Sequence, residues 1–563
     1  MSAGRSFIGS ARVIALWTLG SRITGLIRDI LINRAFGQSW VQDAYNYGFL
    51  IPNLFRRLFG EGALSAVFVP TFTETLHRDG RPAAWTLLGR VLARFTALLV
   101  ALTMLIELVL LICWQLAPGG PRRQLLLGLT AVMLPFMTSI CLVALFSGIL
   151  NCLGRFGIPA ATPIILNLCM IVGIEVIGPR IGEAPERRVY GVAISVLIAG
   201  VVQLIALWPA LRREGVRMPM AWGGRDAALR GMAAAFFPVM LGQGVLLIGA
   251  FLDAQICTTL SRVPGQADTF SFFGRETTLP LEAGALSAVN NAMRLYQFPL
   301  GVLAISLATA ALPAFSRFAA QRDFDGLRLA HQRALRLAVF EGLPCGVMLT
   351  LLAAPIVELL FQYGRYTAAD TVRAAAVLRW YGVGVWAFCA QHVVIRGFYA
   401  LKDTRTPMWI GVALVPLNLG LSLALIWLPA VREQAFGVST TLTTAINVGA
   451  SLLLLRRRLG GRVGGTALLT SLIRSAIATA AAACVAWLLL DPARTWAADW
   501  FGGASAGWRV AAGRAVTVFV PLLAAVAVYF ASAVVLRMDE VRWIRRSERD
   551  SVKGAEMAGA GNE

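Results

Sequence analysis

FLIPNLFRRLFGEGAL, residues 49–64, places Arg56, Arg57 and Glu61 inside a segment otherwise apolar enough to enter a bilayer. An ionisable group at that depth costs about 2.5–3.5 kcal/mol on insertion scales, so each needs a partner or a wet cavity. Arg57 and Glu61 stand four apart and face each other across one helical turn, which favours an internal ion pair. Arg56 then has no local acid. The same problem recurs in LGSRITGLIRDIL, residues 19–31, with Arg22, Arg28 and Asp29, and in NNAMRLYQFPLG, residues 290–301, with Arg294. Arg28 and Asp29 are adjacent and leave an ideal helix about 100° apart, so poor mutual neutralisation is expected. Arg22 and Arg28 lie roughly 120° apart, and share a cavity only if it is broad or the helix bends.

Four cations, Arg22, Arg28, Arg56 and Arg294, thus call for an anion. Glu107, Glu175 and Asp253 are the intramembrane acids that could each compensate one. A guanidinium stays charged and binds phosphate bidentately, so a hydrated cavity for an anionic headgroup is the sharper reading. Gly20, Gly25, Pro52, Gly60, Gly62 and Pro299 permit the bent helices that line such cavities.

The rest of the chain agrees with a lipid solvent. Of 563 residues, 57% are hydrophobic and only 14% charged, and the mean hydropathy is +0.69. A soluble domain carries about 25% charged residues. Fourteen spans are expected, near 12–36, 44–76, 86–116, 124–152, 158–179, 189–211, 227–260, 283–316, 330–361, 368–400, 406–429, 434–456, 466–490 and 512–536. The first reads as a retained helix, since Arg22, Arg28 and Asp29 interrupt it and no small-residue cleavage site follows. A net charge of +21, almost all arginine, is a topology signal here. No aromatic-interleaved basic face points to nucleic acid.

Alternate loops differ in charge. One set holds Arg78 and Arg81, Arg155, Arg212 and Arg213, Arg317 and Arg322, Lys402 and Arg405, and Arg456, Arg457 and Arg458. The other is sparse and balanced, with Asp43, Glu183, Glu186, Asp268, Glu276, Asp491 and Asp499 against few arginines. Basic loops face the cytoplasm, so both termini are expected there. Trp496, Trp500 and Trp508 then fall in an outer loop, as an interfacial aromatic belt. Eight scattered cysteines, no CxxC and three distant histidines give no sign of a disulfide framework or zinc site.

Two segment pairs repeat at nearly one offset. VPTFTE and LPAFSR place Pro70 and Pro313 243 residues apart; FSGILNCLGRFGIPAATP and IRGFYALKDTRTP place Pro163 and Pro407 244 apart. This argues for a duplicated six-helix unit whose copies run in the same sense. The expected division is 1–220 and 221–460 for two lobes, 461–540 for a last helix pair and 541–563 for a cytoplasmic tail.

The same segments carry a resemblance. SRITGLIRD (21–29), QDAYNYGFLIPNLFRRLFGEGALSAVFVPTF (42–72), RLYQFPLGVLAISLATAALP (294–313), LLFQYGRYTAADT (359–371) and RGFYALKDTRTP (396–407) look like the MurJ (MviN) lipid II flippase family of the MOP exporter superfamily. The resemblance implies an all-α polytopic fold, two six-helix lobes in a V around a central cavity, and a final pair bordering a groove for a lipid tail. It also implies a flippase moving an undecaprenyl-pyrophosphate-linked peptidoglycan precursor across the bacterial inner membrane by alternating access. The family's cavity arginines fall on Arg22, Arg28, Arg56 and Arg294, and its other substrate-binding positions on Asp43, Asn53 and Glu61.

Three departures matter. Met293 stands where many members have an aspartate before the span-eight arginine. The 261–282 connection is longer than expected, and reads as an ordinary flexible loop, or as an outer-face lid or partner contact. A sodium site of some members falls on Asp253 and Asn418, but Ser422 stands where a second carboxylate would help. No other cofactor is implied, and membrane potential is the alternative driving force. Expected partners are lipid II, membrane lipids and the cell-wall synthesis machinery. The rivals are an O-antigen or capsule-unit flippase and a MATE-like exporter, the latter expected to carry acids in its cavity. An enzyme is not expected, because the outer loops hold isolated acids such as Asp268, Glu276 and Asp499 without a D-x-D pair, and no P-loop or HExxH occurs.

Overall fold

The structure, a computed structural model, describes residues 2–59, 67–116, 119–216, 227–272, 275–461, 465–501 and 507–543. Helices dominate because a lone segment in hydrocarbon satisfies all its backbone donors and acceptors only by coiling on itself. Two compact units result, one of residues 1–287 with 363–367, the other of 288–362 with 368–563.

The first unit starts with α1 (Ser2–Phe36), α2 (Trp40–Phe55), α3 (Val69–Arg78) and α4 (Gly80–Leu116). It continues with α5 (Pro121–Met133), α6 (Phe136–Cys152) and α7 (Gly157–Val172). A π-helical turn (Gly173–Ile177) leads through α8 (Gly178–Ile181) to α9 (Pro185–Arg213) and α10 (Ala227–Thr259). Pro52 lies inside α2, and residues 56–59 widen into π-helical turns just after it. Phe68, Phe72, Trp85, Leu88, Met133 and Phe136 belong to its core. Met104, Leu105, Leu108 and Leu111 of α4 are exposed, as expected of side chains whose solvent is acyl chain.

α11 (Ala285–Ala320) enters the second unit, followed by α12 (Phe324–Leu351), α13 (Ala353–Phe361), α14 (Ala368–Ala400) and α15 (Arg405–Leu425). α16 (Gln434–Arg458), α17 (Gly465–Phe501) and α18 (Gly507–Val535) complete it. α17 and α18 pack through small faces. Ala478, Ala482 and Ala486 recur every four residues on one, and Ala525, Tyr529 and Ala533 on the other, all buried. Such stripes let backbones approach where no hydrophobic force separates helix from lipid. Tyr529 donates its hydroxyl to the Phe340 carbonyl at 2.6 Å, tying the pair to α12.

Among the described residues, the expected spans fall on helices or broken helices in this order. Among the described residues, ten helices are long and apolar enough to cross a membrane. The remaining expected spans include α1 and α14, which carry internal charges such as Arg28, Asp29, Arg379 and Arg396. Two expectations need correction. The 261–282 connection is not an ordinary loop, because β1 (Thr269–Phe272) and β2 (Arg275–Thr278) pair antiparallel and Arg262 donates to the Leu279 carbonyl at 2.9 Å. Its alternating Thr, Phe and Ser were masked by the surrounding helical pattern. Likewise α17 does not stop near 490 but runs through Pro492 to Phe501, so Trp496 and Trp500 sit on helix.

Past α18 the chain turns at Arg537 and is clamped. Arg336 of α12 donates to Glu540 at 2.7 Å and Asp539 at 3.0 Å, and Ser471 of α17 donates to Glu540 at 2.6 Å. Glu540 is 1% exposed. Removing one partner of a buried pair strands the other charge. Glu540→Ala is therefore expected to lower stability by about 2–3 kcal/mol, read as an earlier thermal unfolding of the purified chain. Asp539→Ala, at a more exposed partner, is expected to cost markedly less.

Candidate functional site

The polar line of the first unit begins at Asn167, in the middle of apolar α7. Its amide donates to the Ser21 carbonyl and the Thr24 hydroxyl, both at 3.1 Å, and its oxygen accepts from Arg28 Nη1 at 2.8 Å. Arg28 donates through Nη2 and Nε to one oxygen of Asp29, at 2.8 and 3.1 Å. Asn33 donates to the Asp29 carbonyl at 2.9 Å and accepts from Gln42 at 3.1 Å. All five side chains are buried.

This corrects one expectation from the sequence. Arg28 and Asp29 do neutralise each other, although their Cα–Cβ bonds diverge, because the arginine stem is long enough to fold its head back onto the neighbouring carboxylate. Asn167 was missed altogether. Its signal was available, since PIILNLCMIV holds one amide in an otherwise apolar run.

Arg56 donates its Nε to Asn53 at 2.9 Å, one turn away, at the π-helical widening that follows Pro52. Arg22 is half-buried and Arg57 exposed. Glu61, and hence its expected pairing with Arg57, lies outside the described residues. Arg294 stands in the second unit, exposed on α11, one residue before the buried pair Leu295 and Tyr296. Tyr296 stacks on Tyr381 and Phe388, with ring centroids 4.7 and 4.9 Å away. That stack fixes the rotation of α11 and so the direction from which Arg294 emerges. Half-buried Met293 brings no charge beside it.

Asp43 is 1% exposed and caps α11. Its two oxygens accept the Gly284 and Ser287 N–H groups at 2.9 and 2.8 Å and the Ser287 hydroxyl at 2.6 Å. An anion is well placed at that positive helix end. Of the candidate cation ligands, Asp253 is half-buried on α10 in the first unit. In the second, Asn418 donates to Thr443 at 3.2 Å, and the hydroxyls of Ser422 and Ser439 pair at 2.7 Å. These oxygens are hard but neutral. Among the described residues, no cluster of three or more His, Cys, Asp or Glu could hold a metal ion. Glu175, one of the acids considered as compensation, faces Arg34, Arg188 and Arg365 instead.

Two of the basic loops, which loop charge leads one to expect on the cytoplasmic side, are each tied locally. Arg155 donates to Glu214 at 2.6 Å in the first unit. In the second, Asp403 accepts from the Thr406 N–H at 3.0 Å and hydroxyl at 2.7 Å and pairs with Arg458 at 3.2 Å. Burial is the largest single influence on Asp403 and raises its pKa, but Thr406 and Arg458 together outweigh it and hold the carboxyl below its ordinary range.

Comparison with known proteins gives one consistent answer. A family model described as lipid II flippase MurJ matches residues 32–536. A probable lipid II flippase MurJ of Rhizobium meliloti (strain 1021) is 30% identical over 536 residues, 94% of each chain. The lipid II flippase MurJ of Burkholderia cenocepacia is 30% identical over 456 residues, 79% of this chain and 82% of that one. Among solved structures, a lipid II flippase MurJ in an inward closed conformation superposes with a TM-score of 0.70 at 21% identity, covering 94% of this chain and 99% of that one. An inward-facing multidrug resistance MATE family transporter of the MOP superfamily gives 0.62 at 14% identity, covering 80% and 98%. At such identities these two report on the fold alone.

The Asn167 hub can be tested by subtraction. Asn167→Leu removes three hydrogen bonds and strands part of the Arg28 guanidinium, so a loss of about 2–4 kcal/mol is expected in thermal unfolding. Asn167→Gln, able to remake some of them, should recover part of it.

Proposed function

The chain belongs to the lipid II flippase MurJ family, and from that premise we propose that it moves lipid II from the inner to the outer leaflet of the bacterial cytoplasmic membrane. The observation that carries the reading beyond family membership is the set of guanidiniums within apolar spans, where a diphosphate is the chemically matched counter-ion.

In this reading the headgroup pyrophosphate docks on Arg22, Arg56 and Arg294, with Asn53 orienting Arg56 through their 2.9 Å hydrogen bond. Arg28 joins them with a twist that the sequence did not offer. Its counter-charge is Asp29, so an incoming phosphate competes with that carboxylate for a guanidinium that Asn167 already holds in place. Loss and recovery of this internal pair gives the ligand different energies in two conformations, which is what shifts a conformational equilibrium. Asp43 contributes by fixing the start of α11, the helix that bears Arg294. Glu61 remains a proposed member of the substrate site. The lipid tail stays in the bilayer along α17 and α18.

Transport without chemical change of the cargo is part of the proposal, as are cytoplasmic termini and contact with the cell-wall synthesis machinery. The return step draws on membrane potential, worth about 2.3 kcal/mol per charge per 100 mV, or on a sodium gradient. For sodium, the proposed ligands are Asp253 and Asn418. They act by holding a small cation, and nothing in the docking step depends on them.

Depletion of this protein is expected to accumulate lipid II on the inner leaflet. Accumulation of another polyprenyl-pyrophosphate sugar instead would reassign the cargo. Arg56→Ala or Arg294→Ala should abolish rescue of the depleted strain at normal membrane abundance, and full rescue would remove that residue from the mechanism. For topology, a cysteine replacing Arg213 should react with impermeant reagent only after the inner membrane is opened. Labelling in intact spheroplasts would invert the orientation.

A further inference from the structure

A second cationic site lies in the first unit, away from the residues above. α1 ends where Gly37 takes φ +62°, and in the 363–367 segment Gly364 takes φ +61°. The two turns dock closely. Arg365 N–H donates to the Arg34 carbonyl at 3.0 Å, and Gln38 donates to the hydroxyl of buried Tyr366 at 2.7 Å. A Cβ on Gly37 would stand 2.6 Å from the Arg365 carbonyl oxygen, and one on Gly364 2.5 Å from that of Arg34. Only glycine allows both the left-handed backbone and this approach.

The consequence is electrostatic. Arg34 and Arg365, distant in sequence, are brought side by side, and Arg188 at the start of α9 faces them. Together with Ala35, Gly364 and Glu175 of the π-helical turn they line an open cleft of about 170 Å³. That is roughly six water volumes, room for a phosphate and part of its hydration. Among the described residues, none of the three guanidiniums forms an ion pair with Glu175, the acid in this lining. Arg188 donates Nη2 to the Ile174 carbonyl at 3.2 Å, while its buried Nε has no hydrogen-bond partner. Val172 and Val176, beside Glu175 on the same helix, and Ile181 of α8 are exposed apolar side chains next to this polar lining. Loop charges assign this end to the outer face.

We propose that this cleft binds a phosphate group, presented either by the headgroup of an anionic phospholipid in the outer leaflet or by inorganic phosphate in solution. Three guanidiniums supply bidentate donors, Glu175 limits the affinity by repulsion, and the apolar rim suits a headgroup still attached to its acyl chains. The site goes beyond the flippase reading and does not rest on it.

The test uses the full-length protein in phosphatidylcholine nanodiscs. One arm dopes them with phosphatidylglycerol and counts the molecules retained by native mass spectrometry; the other titrates inorganic phosphate by calorimetry. Arg34→Gln and Arg365→Gln should each weaken binding of one probe by about threefold to tenfold, with Arg78→Gln, at the exposed end of α3, unchanged. Loss confined to phosphatidylglycerol identifies the lipid as ligand, and loss confined to phosphate the soluble ion. Gly364→Ala keeps every charge but undocks the turns, and should weaken the same probe. Glu175→Gln should strengthen it, a gain that misfolding cannot imitate. If both arginine variants retain both probes like wild type and Glu175→Gln gains nothing, the proposal is overturned.

Discussion

A charge in a medium that cannot solvate it must be answered by another group, and that constraint organises this protein. Arg28 shows how it is met. One carboxylate oxygen takes two of its N–H groups and the Asn167 amide takes another, while the same amide holds two groups of α1. The network thus joins α1 to α7 and holds a guanidinium, paired with its own carboxylate, at depth. A hydrophobic replacement of the whole set would pack at least as well. The polar set makes sense if an exchangeable guanidinium is needed there.

The sequence made the spans legible because hydrocarbon leaves a segment few choices. Apolar stretches located α4 through α9 closely. Side-chain partnerships were less legible. The Arg28–Asp29 pair was discounted from ideal Cβ directions, which ignore the reach of a long side chain. Asn167 was overlooked because one amide does not disturb a hydropathy average. The β1–β2 hairpin escaped for a related reason, since eight paired residues carry little weight between two long helices.

Site residues divide in the same way. The arginines were found by being costly where they are. Asp43 came from resemblance, and its local role, receiving two backbone N–H groups and a hydroxyl at the start of α11, depends on residues more than 240 positions away that no local pattern links to it. The Arg34–Arg188–Arg365 cleft combines three separate turns and was not legible at all. Gly37 and Gly364 looked like ordinary loop punctuation until their left-handed backbones were seen to face each other.

The length of α17 has a mechanical consequence. At 37 residues it measures about 55 Å, nearly twice the hydrocarbon thickness of roughly 30 Å. It must therefore lean or protrude, with Trp496 and Trp500 riding at the upper level. How far it leans is set partly by the bilayer, so acyl-chain length becomes a control on the inclination of this helix and of α18 packed along it. Membranes of different thickness would present the same α17–α18 surface to a lipid tail at different angles.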